Sequence, residues 1–255
     1  MLAKINSATL QGLTAVHVTV EVDSREAVEK PHFTIVGLPD NAVKESQERV
    51  MTALRANQFN SGLRVNVVNL APADLRKEGS GLDLPIAVGL ICAYGQLDMS
   101  LPENCMFVGE LGLDGSIQPI KGALPIAIKA RAMKVDALFV PEANAREAAV
   151  VNQLKVYGVR NLMDVVDILR GISDIRPTEV RTREEFYAQQ YNFENDFSEV
   201  KGQENVKRAF EVAAAGGHNI IKISPILQER QLSDIQTFII KSAISRSIFY
   251  KKIVA

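Results

Sequence analysis

Apolar and polar residues alternate from Leu2 to Gly12 and again from Val16 to Val22, the period of half-buried strands, with Gly12 and Asp23-Ser24 placed to turn them. His32 to Val36 continues this pattern as a third strand and is closed by Gly37-Leu38-Pro39. The period then changes. Asp40 falls at an N-cap, and from Asn41 to Asn57 apolar residues at Ala42, Val43, Val50, Met51 and Leu54 trace a helical stripe. Lys44, Glu45, Glu48, Arg49 and Arg55 occupy the other positions and are expected in solvent.

Arg64 to Leu70 predicts a fourth strand leading into the stretch around which the chain is organised, Lys77 to Leu90. Gly79 and Gly81 allow a tight path, and an apolar helix runs from Leu82 toward Tyr94. A glycine-rich crossing into a helix is a place for anion binding, because helix N-terminal N–H groups lack intrahelical partners. The competing structural reading is that the glycines let a core helix pack closely on its sheet. Asp83 comes early in that helix, where a carboxylate serves as a cap.

Asp114-Gly115 between Met106–Leu111 and Ile117–Ile120 is a hairpin signal. Beyond it come a helix from Gly122 to Met133, a buried strand Ala137 to Pro141, a helix Ala145 to Val151, a strand Lys155 to Val159 and a helix Leu162 to Arg170. That order argues for right-handed βαβ crossovers and a mixed α/β, or α+β, sheet.

The composition shifts after Gly171, which divides the chain into a domain over 1–171, a polar linker over 172–196, a second unit beginning at 197–221 with a helix from Asn205 to Ala215, and an aberrant tail over 222–255. The tail, apolar with basic patches, reads like translation in a shifted frame; its alternative is a short helical appendage from Gln231 to Ile244.

Composition narrows the classes. With 47% apolar and 23% charged residues and a net charge of -1, the 255-residue chain reads as globular without bulk basicity. No apolar run approaches the roughly 20 residues of a membrane helix, and the opening reads as a strand, so no membrane partner is expected and the cytoplasm is the expected compartment. Cys92 and Cys105 lack CxxC spacing and are expected reduced and buried.

Candidate chemistry is sparse. His17, His32 and His218 stand far apart without metal-ligand spacing, so no metal site is expected. Glu78, Asp83, Glu110 and Asp114 would converge only if the hairpin packs beside the central turn. Ser80 is a nucleophile candidate with Lys77, Lys121 and Lys129 as bases, though nothing in the residues singles out a pair. No GxxxxGK[ST] phosphate loop occurs in the sequence, which predicts no bound cofactor. Lys44, Arg49, Arg55, Arg64, Arg76 and Lys77 form two basic clusters and are the candidate contacts for DNA or a protein partner.

Several segments together resemble the N-terminal part of the magnesium-chelatase-like AAA+ ATPase family: Ala3 to Gly12, Phe33 to Asp40, Asn69 to Asp74, Lys77 to Ala87, Gly109-Glu110-Leu111, and Asp196 to Asn219. The resemblance implies that residues 1–171 adopt a Lon-protease-like domain of the ribosomal protein S5 domain 2-like fold, followed by the stub of an AAA+ module. Lon-type proteases use a Ser-Lys dyad; matching Lys77, Gly79 and Ala87 places the serine position at Gly81, and matching Gly109-Glu110 and Pro119-Ile120 places the lysine position at Leu124. Both groups are absent, with Ser80 one position and Lys121 three positions early.

Complete members of the family are implied to be hexameric rings that use ATP and Mg2+, and one of them drives DNA branch migration during transformation. Here the strand opened by Ile220-Ile221 departs from the family pattern at Lys222. The expectation is a domain that binds or assembles and does not catalyse, with a hexamer doubtful for this chain alone. The alternatives are part of a split ATPase completed in trans, and a serine hydrolase using Ser80.

Overall fold

A computed structural model describes residues 2–180, apart from 28, 60, 61 and 78, together with residues 202 and 204–216. The chain divides into two compact units, Met1–Thr182 and Arg183–Ala255. In chain order the first contains β1 (Leu2–Gln11), β2 (Thr14–Glu26), β3 (His32–Val36), α1 (Asn41–Ala56), β4 (Arg64–Ala71), α2 (Asp83–Ala93), β5 (Cys105–Phe107), β6 (Glu110–Leu111), β7 (Ile117–Gln118), α3 (Ala123–Ala132), β8 (Ala137–Pro141), α4 (Glu142–Ala148), β9 (Lys155–Val159) and α5 (Leu162–Arg170). The described part of the second unit holds α6 (Glu204–Gly216), with ion pairs Lys207–Glu204 at 3.0 Å and Arg208–Glu211 at 2.9 Å along its surface.

Seven strands form one sheet in the order β3-β4-β2-β1-β5-β8-β9, and β6 and β7 make a separate two-stranded ribbon. The alternating segments pair as an antiparallel hairpin running from Leu2↔Asp23 to Gln11↔Thr14. β2 and β4 are also antiparallel, whereas β3–β4, β1–β5, β5–β8 and β8–β9 are parallel. The parallel strands follow the βαβ order read from the sequence, and β8 is buried at all five residues because helices cover both of its faces.

Alternation along β5 and β8 separates two cores. Cys105, Phe107, Ala137 and Phe139 face the cluster built by α1, α2 and α5, while Met106, Leu138 and Val140 face the cluster under α3 and α4. Phe107, Phe139 and Tyr157 stack across three neighbouring strands, with centroids 4.7 and 5.2 Å apart. Val68 and Leu70 of β4 and Phe33 of β3 join only the first cluster. Every residue of α2 is buried. Its approach to the sheet depends on Gly89, where a Cβ would lie 2.6 Å from Val22 Cγ2.

Four boundaries differ from the sequence reading. The run expected from Met106 to Leu111 is split: Cys105–Phe107 joins the main sheet, and only Glu110–Leu111 pairs with Ile117–Gln118 around Asp114-Gly115. α4 starts three residues before the expected Ala145, because Glu142 favours a first turn and buried Asn144 exchanges hydrogen bonds of 2.9 Å with both the N–H and the carbonyl of Ile120. The start of the expected linker belongs to the first unit: Thr178 donates to the Val156 carbonyl on β9 (2.7 Å) and Val180 packs on the second core. Asp83 does not cap its helix; Leu82 holds that place without a side-chain bond. Glu78 and the tail over 222–255 lie outside the described residues.

Candidate functional site

Three connections meet at one end of the sheet: the β3–α1 loop, the β4–α2 crossing and the β6–β7 ribbon. Gly37 turns the chain out of β3 at φ +101°, and a Cβ there would drive into the Leu70 carbonyl. Asp40 caps α1 as the sequence predicts, its Oδ1 accepting from Val43 N–H at 2.8 Å, and its Oδ2 accepts from Gly79 N–H at 3.1 Å. Lys77 N–H donates to the Leu38 carbonyl (3.2 Å) and Asp40 N–H to the Lys77 carbonyl (3.0 Å), so the two loops are stitched together by backbone.

The start of α2 is closed to anions. Asp83 N–H donates to the Ser80 carbonyl (3.2 Å) and Leu84 N–H to the Gly109 carbonyl (3.0 Å), while Pro85 has no N–H to offer. Gly109 N–H returns a bond to the Gly81 carbonyl at 2.9 Å. Among the described residues the Asp83 and Leu84 N–H groups are therefore committed to packing α2 against its neighbours.

Beside this joint sits a buried ion pair. Arg49 Nε donates to Asp83 Oδ2 at 2.7 Å and its Nη2 to Oδ1 at 3.1 Å; Ser46 Oγ donates to Oδ1, and Leu111 N–H to Oδ2 at 3.1 Å. Burial pushes the Asp83 carboxyl upward, against the pull of Arg49 and Ser46, and the hydrogen bonds to Asp83 raise Arg49. These bonds tie α1, α2 and β6 to one carboxylate. Sequence reading placed Arg49 on a solvated face and missed its partner.

The other basic candidates separate. Lys77 is fully buried, its Nζ donating to the Pro72 carbonyl, and burial lowers its pKa. Lys77 is thus corrected from a surface contact to an interior group, and Arg49 from a solvated residue to a half-buried one committed to Asp83. Arg64 lies over the Tyr94 ring, 5.3 Å from its centroid. Arg55 is exposed in the last turn of α1. Only Lys44 and Arg76 share a feature, an open groove of about 510 Å³ walled by Leu38, Pro39 and Ala42.

The nucleophile candidates separate as well. Ser80 Oγ donates to the Glu110 carboxylate, so its recorded partner is an acid and not a lysine. Lys121 is exposed, and Leu124, at the implied lysine position, is an exposed residue whose N–H donates to Glu147. At Gly81 a Cβ would meet only Ile120 Cγ2, at 3.8 Å. Of the four carboxylates, Asp83 and Glu110 do approach one another through Leu111 and Arg49, whereas Asp114 is spent on the Ser116 N–H of its own turn (2.9 Å). His17 bonds Asn6 and His32 bonds Thr34, and His218 lies outside the described residues. Among the described residues no group of three or more His, Cys, Asp or Glu side chains is placed to hold a metal ion, and no helix is long and apolar enough to cross a membrane.

The family model for subunit ChlI of Mg-chelatase matches residues 20–144, and that for magnesium chelatase, subunit ChlI, matches residues 196–226. Competence protein ComM of Haemophilus influenzae is 39% identical over 226 residues, 88% of this chain and 43% of ComM. The chain belongs to the Mg-chelatase-like ComM/YifB family. The uncharacterized protein YifB of Escherichia coli is 34% identical over 227 residues, again 88% of this chain and 43% of the relative, so the chain spans under half the length of these relatives. A Lon protease of Aster yellows witches'-broom phytoplasma is 27% identical over 148 residues, 53% of this chain and 18% of the protease. The mixed, mostly parallel sheet of this ComM/YifB-like domain is the Lon-like, ribosomal protein S5 domain 2-like fold.

Proposed function

We propose that residues 1–180 are a non-catalytic binding or assembly domain of a ComM-like, Mg-chelatase-related AAA+ ATPase that processes DNA. The observation that carries this reading is chemical: the implied dyad positions hold Gly81 and Leu124, and the one neighbouring hydroxyl, Ser80, is bonded to Glu110. A proton-accepting lysine beside a serine is what a Lon-type hydrolysis needs. DNA processing as the setting is what the family resemblance implies, and one relative is named as a competence protein. ATP and Mg2+, which the resemblance assigns to complete members, are expected at an ATPase module and not at the glycine-rich crossing, whose Asp83 and Leu84 N–H groups are already bonded. Nucleotide chemistry, ring assembly and branch migration are then the work of an ATPase module that this domain would serve.

The test uses the purified 255-residue chain. ATP turnover and labelling by a fluorophosphonate serine probe are measured, each against a denatured control, and neither is expected above background. ATP hydrolysis that co-purifies with the chain, or labelling that Ser80→Ala abolishes, would overturn the reading.

A further inference from the structure

α3 is apolar on both sides. Ala123, Ile126, Ala127 and Ala130 face the second core, while Leu124, Ile128 and Ala132, each four residues from the next, are exposed on the opposite side. We propose that this outer stripe docks an amphipathic helix of a partner polypeptide, apolar on its contact face and acidic on both flanks, a surface that rests on the binding-domain reading and gives that reading a partner chemistry.

Such a stripe is out of place on a helix that faces only water. Leu124 is 36% and Ile128 48% exposed, whereas the exposed positions of α1 are Asn41, Lys44, Glu45, Glu48, Arg55 and Ala56, without a large apolar residue. The tip of the β1–β2 hairpin reaches the start of α3, where a Cβ on Gly122 would lie 2.5 Å from Leu10 Cδ1, and Leu13 at that tip is 95% exposed. A helix is the shape that fits. Residues four apart form a ridge, and such a ridge seats in the groove between the ridges of a second helix.

Charge selects the partner. From Lys121 to Lys134 the chain holds four cations and no acid. Arg131 borders the stripe on one side, Lys129 on the other and Lys121 precedes it; among the described residues none of these three makes an ion pair. Glu147 of α4, at the start of the stripe, has both oxygens engaged, by Leu124 N–H at 3.0 Å and Asn144 Nδ2 at 3.4 Å. An acid on either flank of an incoming helix therefore meets a cation with no ion-pair partner.

The same features disfavour other occupants. Two α3 stripes packed face to face would bring like charges together, so a second copy is a poor match. Leu124 and Ile128 are half sunk in the domain and cannot reach the roughly 5–10 Å into a bilayer at which an interfacial helix lies. The apolar centre of the patch has nothing to offer a phosphate backbone.

The probe is a fluorescein-labelled peptide of three Leu-Ala-Gln-Leu-Glu-Gln-Glu repeats, whose like-charged flanks keep it from pairing with itself. It is titrated with the intact chain and followed by anisotropy, and saturable binding is expected. Replacing its glutamates by lysines is expected to weaken binding by at least about tenfold, and Ile128→Gln in the chain by a similar factor. Lys129→Glu with Arg131→Glu, checked for native circular dichroism, is expected to reverse the preference between the two peptides; Arg131→Glu alone is measured in its place if the double variant fails to fold. No saturation up to millimolar chain, equal affinity for the lysine peptide, full binding by Ile128→Gln or an unchanged preference in the charge-reversed chain would overturn the site. A dimer of the parent chain that Ile128→Gln dissolves in sedimentation equilibrium would overturn it in favour of a second copy. Co-sedimentation with phosphatidylserine vesicles, lost in the same variant, would overturn it in favour of a membrane. Peptide binding is blind to ATP turnover and serine labelling, so failure here is distinguishable from failure of the parent reading.

Discussion

Arg49 Nε lies 2.7 Å from Asp83 Oδ2, an ion pair whose carboxylate has no exposed surface and whose guanidinium is 21% exposed. Because Ser46 and Leu111 N–H complete the shell, one acid fixes the relative positions of α1, α2 and the β6–β7 ribbon. Removing one partner strands the other. Arg49→Met is expected to cost about 3–5 kcal/mol, the range for an uncompensated buried charge. Arg49→Met with Asp83→Leu is expected to recover part of that loss but not all, since the Leu111 N–H is then orphaned at about 1–3 kcal/mol, while the Ser46 hydroxyl keeps the Ala42 carbonyl as an acceptor. Urea denaturation of the two variants measures both. A single variant as stable as the parent chain would show that the pair contributes nothing to the joint.

Gly37 and Gly81 are both part of motifs that carry the family resemblance, yet the structure needs only one of them as glycine. Gly37 combines a φ of +101° with a Cβ path into the Leu70 carbonyl, so Gly37→Ala is expected to destabilise by more than about 3 kcal/mol. Gly81→Ser meets open space as far as Ile120 Cγ2 at 3.8 Å and is expected to stay within about 1 kcal/mol of the parent. Thermal unfolding of the pair decides the matter. A serine at the position that the resemblance implies for the dyad is thus expected to leave the fold intact, which would separate loss of chemistry from loss of structure.

Cys92 and Cys105 are free thiols packed in the first core, and burial pushes them up to about 12 and about 11 respectively. Neither is thiolate at neutral pH. Native chain at pH 8 is expected to resist Ellman's reagent over a time in which urea-unfolded chain reacts fully. Rapid reaction of a native thiol would mean that the α2 core opens far more readily than its packing implies.

What could be read from the sequence, and what could not, divides along one physical line. Alternation fixed the β1–β2 hairpin, the all-apolar run Ala137–Pro141 identified a doubly covered strand, and an aspartate before an apolar stripe located the α1 cap, since each depends on neighbours along the chain. Arg49 and Asp83 are 34 residues apart, and charged residues default to solvent until tertiary closure supplies a partner. One signal was present: Ser46 lies three after Val43 and four before Val50, a polar residue inside the helical stripe, which marks a place where a buried polar partner can be met. Lys77 gave no such signal. Its neighbours alternate by no period, and its burial comes from two loops closing over it.

Lys77 also sets a pH dependence with a definite sign. Burial holds its folded pKa below the ordinary 10.5, opposed by Asp74, so between the folded value and 10.5 the unfolded chain binds a proton that the folded chain does not. Stability from this residue therefore rises with pH across that window, and the cost of burying the ammonium is felt in full below it. Lys77→Met keeps the stem's volume and removes the charge, while leaving the Pro72 carbonyl without its donor. The parent chain is expected to gain on Lys77→Met as pH climbs toward 10.5, a difference in which the other titrating groups cancel. Urea midpoints of both proteins at neutral, mildly alkaline and strongly alkaline pH give that difference directly. A constant gap would mean that Lys77 keeps an ordinary affinity for its proton, and that water reaches the ammonium beneath the two loops.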